Sequence, residues 1–205
     1  VTRWSATRAR PDARYPYVLN TGRTRDQWHG MTRSGRAARL CAHRAEPYVE
    51  MHALTAARHG LNAADLAVVE RGDARVVARV LVNDAVAADA LFVPMHWSRA
   101  FASEGAVNAL VPAITDPWSG QPDLKAARVA LRRYPATWYG FALTRESRAL
   151  PGCAYWARMR AGDGWRLELA DSAALDDVDA LFATLGGGRA GDETVRMDDR
   201  NAGAH

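Results

Sequence analysis

Residues 15–33 carry the sequence YPYVLNTGRTRDQWHGMTR, in which an apolar run leads into a polar segment. The run Tyr15–Leu19 predicts a buried strand, and the segment Asn20–Arg33 predicts the turn that leaves it. This turn combines glycine backbone N–H groups with guanidinium groups and threonine hydroxyls. Oriented amides and arginine forks suit the geometry of phosphate, so the segment predicts binding of a phosphate or pyrophosphate group.

Length and composition indicate one good hydrophobic core with room for a smaller appendage. The chain has 205 residues, of which 48% are hydrophobic. Its formal net charge is +4, and Lys125 is the only lysine among 27 basic residues. Genomic base composition explains the arginine excess, but it makes the one lysine worth following.

The charge is distributed unevenly along the chain. Residues 1–44 contain ten arginines against Asp12 and Asp26. A basic leading segment suits either nucleic acid or an anionic cofactor. Because basic residues do not alternate with exposed aromatics and no nucleic-acid motif is recognised, we expect an anionic cofactor and no nucleic acid.

Two cysteines, Cys41 and Cys153, lie far apart and outside any CxxC or metal-type Cys/His pattern. We therefore expect no disulfide framework and no metal ligand in this chain, which fits a reducing cytoplasm. No signal peptide is recognised and no apolar run approaches the ~18 residues of a membrane span, so no membrane partner is expected. Since the chain begins at Val1, we expect it to be part of a longer protein.

Short strands, few helices and two long loops predict a small closed barrel rather than a parallel α/β sheet. A helix at Ala53–His59 is closed by Gly60, and Gly72-Asp73 predicts a hairpin turn. Residues 30–47 are expected to be irregular, and residues 96–125 loop-like with one helical turn near Ser98–Ser103. The strands expected in this part are Tyr15–Asn20, Tyr48–His52, Leu66–Arg71, Arg75–Val82, Leu91–Met95 and Arg128–Arg133.

The pattern changes after Tyr134-Pro135. Strands are expected at Thr137–Leu143 and within Ala154–Ala170, the latter a hairpin turning at Gly162–Gly164. An acidic amphipathic helix is expected at Ala173–Leu185, ended by Gly186–Gly188. The expected divisions are a linker at 1–14, a barrel domain at 15–133, a C-terminal extension at 134–188 and a polar truncated tail at 189–205.

A series of motifs follows in order along the chain: Tyr15–His29, Met31-Thr-Arg33, Pro94-Met-His-Trp97, Val107-Asn-Ala-Leu110, Thr115-Asp-Pro117 and Lys125. On these motifs, the first 133 residues resemble the C-terminal molybdopterin dinucleotide-binding domain of the molybdopterin oxidoreductases, and most of all that of bacterial assimilatory nitrate reductases. Residues 134–170 resemble the extension that follows this domain in many of those enzymes.

The resemblance implies a mainly β fold with short helices, a double-psi β-barrel followed by a small α+β extension. It also implies that the barrel binds bis(molybdopterin guanine dinucleotide) molybdenum, in an enzyme that reduces nitrate to nitrite by oxygen-atom transfer. A metal ligand and a 4Fe-4S cluster belong to missing upstream domains of the polypeptide, so this chain is expected to be inactive alone and to hold no catalytic residue. The electron donor, whether ferredoxin, flavodoxin or an NADH-linked reductase, stays open.

The first motif supplies most of the residues that the resemblance assigns to the cofactor. Gly22 and Arg23 are expected near a phosphate or the pterin, with a plain turn and a solvated arginine as the alternative. The Asp26 carboxylate is expected to accept hydrogen bonds either from a guanine edge or from a neighbouring arginine. His29 is expected to contact the pyranopterin rather than to be purely structural, while Trp28 packs on the cofactor or, as a core tryptophan, only walls the site.

Three later positions complete the site. Trp97 lines the substrate path for nitrate or only packs, and its neighbour His96 is the less certain of the pair. Asn108 presents its amide to the cofactor or caps a helix, and Lys125 donates to the cofactor or is a surface lysine. The predicted cofactor-binding residues are Thr21, Gly22, Arg23, Thr24, Arg25, Asp26, Gln27, Trp28, His29, Gly30, Met31, Thr32, Asn108 and Lys125.

Two alternatives remain beside the nitrate reductase. One is the same domain in a formate dehydrogenase-like enzyme, which differs in the metal ligand of the missing part. The other is a non-catalytic barrel that binds a nucleotide or nucleic acid. Salt-dependent retention on nucleic acid, without an effect of guanine nucleotides on melting, would favour a barrel of that last kind.

Overall fold

A computed structural model describes residues 13–145 and 152–186. The helices in these ranges are α1 (Ala38–Cys41), α2 (Ala53–Arg58) and α3 (Val178–Gly186), with 3-10 helices at Ser34–Arg36 and Val107–Leu110. The strands are β1 (Tyr17–Gly22), β2 (Tyr48–Met51), β3 (Leu66–Arg71), β4 (Ala74–Val82), β5 (Ala90–Pro94), β6 (Ala127–Arg133), β7 (Trp138–Thr144), β8 (Tyr155–Ala161) and β9 (Gly164–Asp171).

Contacts divide the chain into two compact units. Unit 1 runs up to Gly22 and adds Tyr48–Met95 and Val107–Arg133. Unit 2 consists of Arg23–Pro47, His96–Ala106 and the residues from Tyr134 onward. Two segments that the sequence assigned to the barrel domain, Arg23–Pro47 and His96–Ala106, thus group with the extension. The predicted tail at 189–205 and most of the linker at 1–14 lie outside the described residues.

Unit 1 is a closed barrel with the strand order β1-β5-β2-β4-β3-β6. Strands β1 and β5 are parallel neighbours, as are β2 and β4, and the other neighbouring strands of the barrel are antiparallel. Closure leaves no unpaired sheet edge, which satisfies the backbone of all six strands. The predicted mainly β fold and closed barrel are confirmed.

The interior of the barrel is filled by side chains that alternate along the strands. Leu19 of β1 lies in register with Leu91 of β5, and both are fully buried. Burial of a leucine contributes roughly 2 kcal/mol each, so this layer is a large part of the stabilisation. Residues from other strands extend it, including Val49, Val69, Val80 and Val129.

Two local predictions in unit 1 are confirmed. The hairpin β3–β4 turns at Gly72, whose φ of +58° suits a residue without Cβ. Helix α2 begins after His52, whose side chain accepts from the Leu54 N–H at 3.0 Å, and it ends before Gly60 at φ +60°.

Unit 2 contains a three-stranded antiparallel sheet in the order β7-β9-β8. Its hairpin turns at Gly162, in the positive-φ conformation, as the sequence predicts. The core on this sheet is aromatic and aliphatic: Trp138, Trp156, Leu167, Leu169 and Leu185.

Some element boundaries differ from the predictions. Strand β1 continues through Thr21 and Gly22 because these residues pair with Val93 and Pro94 of β5. Helix α3 begins at Val178 rather than at Ala173, since the Asp177 carboxylate accepts from the Ala180 N–H at 2.8 Å and sets the start. The predicted glycine stop beyond residue 186 lies outside the described residues.

The two segments predicted to be loops contain short helices. Residues 30–47 contain the 3-10 helix Ser34–Arg36 and helix α1. Both helices are too short to show a periodic hydrophobic pattern in the sequence. Residues 96–125 contain the 3-10 helix Val107–Leu110. At Ser98–Ser103 the Ser98 carbonyl accepts from the Phe101 and Ala102 N–H groups at 2.8 and 3.0 Å, which forms a single turn. In the described ranges, every helix is too short or too polar to cross a membrane.

Candidate functional site

In unit 1, the fold joins Thr21 and Lys125, which are 104 positions apart. The Lys125 ammonium donates to the backbone carbonyl of Thr21, and the Thr21 hydroxyl donates to the carbonyl of Leu124 at 3.0 Å. Thr21 is buried, while most of Lys125 is exposed. An ammonium has three donors, so the lysine is anchored by one N–H and keeps its charge at the surface.

Gly22 and Asn108 are the other predicted residues in unit 1. A Cβ on Gly22 would lie 2.7 Å from Cε2 of Phe92, so glycine permits the close packing of β1 against that ring. Asn108 is the second residue of the 3-10 helix Val107–Leu110 and has an exposed side chain. Its carbonyl accepts from the Val111 N–H at 3.2 Å.

In unit 2, His96 fastens the stretch between Thr24 and His29, which lies within the predicted cofactor loop (residues 21–32). Its Nε2 accepts from the Thr24 backbone N–H at 2.8 Å, and its Nδ1 lies 2.6 Å from the His29 carbonyl. These two partners require a neutral imidazole with its proton on Nδ1. His96 is fully buried, and burial lowers the pKa of its imidazole below the ordinary value, with the Arg23 charge acting in the same direction.

The hydroxyl group of Thr24 indicates a ligand at this loop. Its hydroxyl oxygen is buried and has no hydrogen-bond partner among the residues that the structure describes. A buried hydroxyl without a partner costs free energy, and such groups in native proteins usually mark a bound water, ion or ligand. The loop therefore fits a polar group that approaches Thr24.

The backbone of the loop is strained at two positions. His29 and Met31 have φ of +46° and +62°, which is unusual for residues with a Cβ. The loop tolerates this conformation because Met31 is fully buried and the His29 carbonyl is held by His96. Such strain concentrates at ligand sites, where it orients groups in advance.

Arg23 and Trp28 form a cation–π contact on the exposed side of the loop. The Arg23 Cζ lies 4.8 Å from the centroid of the Trp28 ring, and the His29 ring meets the same indole edge-on at 4.7 Å. Trp28 is 59% exposed, so the alternative of a core tryptophan is wrong. The indole holds the guanidinium in place, in contrast to a freely solvated arginine.

The middle of the loop is tied to the protein itself. Arg25 binds both carboxylate oxygens of Asp26, at 2.9 and 3.0 Å, and His43 lies 3.1 Å from the same carboxylate. The Arg25 hydrogen bonds lower the pKa of Asp26. Of the two alternatives for Asp26, the structure shows the arginine pair. The Gln27 side chain is buried, donating to the Leu40 carbonyl at 2.9 Å and accepting from the Ser34 hydroxyl at 2.7 Å.

The end of the loop and the second tryptophan differ in exposure. Gly30 and Thr32 are exposed and accessible to a ligand. Trp97 is 1% exposed and packs beside Gly105, where a Cβ would come within 2.8 Å of the Trp97 Cβ. Burial favours the packing alternative for Trp97 over contact with substrate.

Cys41 is a buried free cysteine, and Cys153 is a half-buried one. Burial raises the pKa of the Cys41 thiol and raises that of Cys153 to about 11, so neither is a thiolate at neutral pH. In residues 13–145 and 152–186, no group of three His, Cys, Asp or Glu side chains is arranged to hold a metal ion.

His96, the less certain candidate in the sequence analysis, was not among the predicted cofactor-binding residues. The sequence signal was its position two residues after the end of β5, where site residues are common. Its role became visible only through the contacts to Thr24 and His29.

The buried imidazole predicts a pH-dependent stability. A histidine with a lowered folded-state pKa binds protons more readily when unfolded, so stability is complete above the ordinary pKa of 6.5 and is lost as pH falls below it. We expect the free energy of unfolding, measured by urea denaturation, to fall between pH 7.5 and 5.5.

His96→Gln isolates this contribution, because a glutamine amide oxygen can accept from Thr24 without titrating. His59, whose pKa is lowered by burial as well, titrates in both proteins and cancels in the comparison. We expect the free energy of unfolding to fall less in the variant than in the unsubstituted chain over the same pH range. An equal fall in both proteins would exclude His96 as the titrating group.

Comparisons with known proteins identify the family of this chain. Residues 17–128 match the profile of a family described as the molydopterin dinucleotide binding domain. A nitrate reductase of Klebsiella oxytoca is 44% identical over 171 residues, covering 83% of this chain and 20% of the relative. A nitrate reductase of Shewanella frigidimarina is 33% identical over 133 residues, covering 56% of this chain and 14% of the relative.

A solved structure gives the same result for the fold. Acetylene hydratase from Pelobacter acetylenicus superposes with a TM-score of 0.51 at 17% identity, covering 58% of this chain and 18% of that one. At this identity the likeness supports the fold alone. The chain spans a fifth or less of the length of each of these three proteins.

Proposed function

Because this chain belongs to the molybdopterin dinucleotide-binding domain family, we propose that it is the C-terminal cofactor-binding part of a molybdenum-dependent nitrate reductase. The observation that carries the proposal is the 44% identity to the Klebsiella oxytoca nitrate reductase over 171 residues. An alignment of that length exceeds the 17–128 match and reaches beyond the barrel into the extension. Similarity in both parts favours the nitrate enzymes over a formate dehydrogenase-like enzyme or a free nucleotide-binding barrel.

We propose bis(molybdopterin guanine dinucleotide) as the ligand, and the described residues fit its anionic parts. In unit 1, the anchored Lys125 ammonium supplies a fixed positive charge next to the backbone of Thr21. In unit 2, Arg23 held on Trp28 supplies a second one, and the buried Thr24 hydroxyl supplies a hydrogen-bonding group that lacks a partner within the described ranges. Arginine forks and lysine point charges both suit phosphate oxygens.

The remaining loop residues orient the ligand. His96 fastens the loop at Thr24 and His29, and His29 and Gly30 are exposed beside the positive-φ backbone. This chain supplies binding and orientation. When bound, the cofactor supplies oxygen-atom transfer from nitrate, yielding nitrite.

The rest of the enzyme is part of the same proposal. Upstream domains of the polypeptide hold the metal ligand and a 4Fe-4S cluster, and ferredoxin, flavodoxin or an NADH-linked reductase delivers electrons. The 205-residue chain alone is therefore expected to lack nitrate reductase activity. Location in the cytoplasm stays a prediction.

The test replaces the two proposed phosphate-binding cations in the full-length enzyme. We expect Arg23→Ala combined with Lys125→Ala to lower the molybdenum and guanine nucleotide content per subunit several-fold, because each charge-assisted contact to phosphate is lost. Content is measured by metal analysis of the purified protein and by release of the nucleotide.

The matched control removes two exposed arginines outside the site, Arg39→Ala with Arg75→Ala. This control is expected to retain the cofactor. Unchanged cofactor content and nitrate turnover in the Arg23/Lys125 variant would contradict the assigned roles. Formate oxidation in place of nitrate reduction by the intact enzyme would instead support the formate dehydrogenase-like alternative.

A further inference from the structure

Unit 2 contains a groove whose charged lining is entirely basic. The groove has a volume of about 540 Å³, and its lining includes Arg36, Arg158 and Arg160 but no aspartate or glutamate. Arg36 belongs to the 3-10 helix Ser34–Arg36, and the other two arginines belong to β8. A concave surface with three guanidinium groups and no carboxylate attracts an anion.

The arginines of β8 are held in defined positions. Arg158 and Arg160 are two residues apart and project from the same face of the strand. Their Cζ atoms lie 5.4 and 5.1 Å from the ring centroid of Trp165. Trp165 belongs to β9, where it pairs in register with Arg160 of β8. The indole lies within cation–π distance of both guanidinium groups and restricts them.

Arg158 is also fastened through its own hydrogen bonds. Its Nε donates to the Ala100 carbonyl at 2.8 Å, and its backbone N–H donates to the Phe101 carbonyl at 2.8 Å. This contact occupies one of the five N–H donors of the guanidinium and orients the group. Preorganised arginines bind an anion at a lower entropic cost than mobile ones.

The other lining groups favour phosphate over a simple halide. Thr32 adds an exposed hydroxyl, and Gly30 adds exposed backbone without a side chain. Hydroxyls, amides and planar guanidinium forks match the several acceptor oxygens of a phosphoryl group.

We propose that this groove is a phosphoryl-binding site to which the β8–β9 hairpin contributes Arg158 and Arg160 and the 3-10 helix contributes Arg36. The family match ends at residue 128, so the two β8 arginines lie outside the family domain. The phosphoryl group comes either from free phosphate or pyrophosphate, or from the dinucleotide of the cofactor. Only the second source rests on the proposed function, through the loop residues Gly30 and Thr32.

The test titrates the 205-residue chain with pyrophosphate at low ionic strength by calorimetry, while the indole N–H signals are followed by NMR. We expect saturable binding with a shift of the Trp165 signal. Arg160→Gln and Arg36→Gln should each raise the dissociation constant about tenfold, as expected for loss of a hydrogen bond to a charged group.

Arg39→Gln is the matched control, because it removes the same charge from an exposed position of unit 2 outside the groove. Arg36 is exposed, so its variant keeps the test valid even where Arg160→Gln unfolds the hairpin. Absence of saturable pyrophosphate binding, or an equal loss in Arg39→Gln, would overturn the proposal.

Two further measurements identify the source of the phosphoryl group. Competition by guanosine diphosphate, together with reduced cofactor content in the full-length Arg160→Gln enzyme, supports the dinucleotide. Pyrophosphate binding with unchanged cofactor content supports a free phosphoryl ligand. Failure of the proposed function would appear separately, as unchanged cofactor content in the Arg23/Lys125 variant while pyrophosphate binding persists.

Discussion

His96→Ala is expected to lower the free energy of unfolding by roughly 3–5 kcal/mol, combining a cavity with the loss of two buried hydrogen bonds. The imidazole is fully buried, and alanine would leave the Thr24 N–H and the His29 carbonyl without their partner. Because these two groups belong to the predicted cofactor loop, the full-length variant should also lose cofactor. Urea denaturation of the 205-residue chain and metal analysis of the enzyme measure the two effects.

His43→Ala serves as the control for this prediction. His43 belongs to the same unit but is exposed, and its Nδ1 lies 3.1 Å from the Asp26 carboxylate. Its replacement is expected to change stability by a small fraction of the His96 effect. If both variants lose the same stability, the two hydrogen bonds of His96 do not hold the loop.

Leu91→Ala is expected to lower the stability of the barrel by about 3 kcal/mol, as for other fully buried leucines. Leu91 of β5 lies in register with Leu19 of β1, and both side chains are at 0% exposure. The cavity would open between the two strands that end at Gly22 and Pro94, so the support of Thr21 is expected to weaken as well. Thermal and urea denaturation measure the loss.

Leu54→Ala is the matched substitution at the surface. Leu54 lies on α2 and is 62% exposed, so its replacement should stay within about 0.5 kcal/mol of the unsubstituted chain. Equal destabilisation by Leu54→Ala and Leu91→Ala would contradict the placement of Leu91 in the barrel core.

The hairpin around Gly72 and the helix Ala53–Arg58 were predictable because their signals are local. A two-residue turn between alternating strands, or an apolar stretch closed by glycine, is decided within about ten residues. The mainly β class and the closed barrel followed from the same short-range patterns and from the motifs that carry the family resemblance.

The extent of β1 and the exposure of the tryptophans were not predictable in this way. Thr21 and Gly22 extend the strand because β5, some seventy residues later, offers them parallel partners. Trp28 is exposed and Trp97 is buried, although both follow a strand and precede polar residues. Burial depends on which distant segments cover a side chain, and no short window contains that information.

The sequence by itself determined the barrel class and the family, because periodicity, turn residues and motifs are local properties of the chain. Only the tertiary structure decided that Lys125 meets Thr21, that His96 closes the loop from Thr24 to His29, and that β8 lines a basic groove with Arg158 and Arg160. These contacts join residues tens to more than a hundred positions apart. Their geometry arises from strand pairing and burial acting on the whole chain at once.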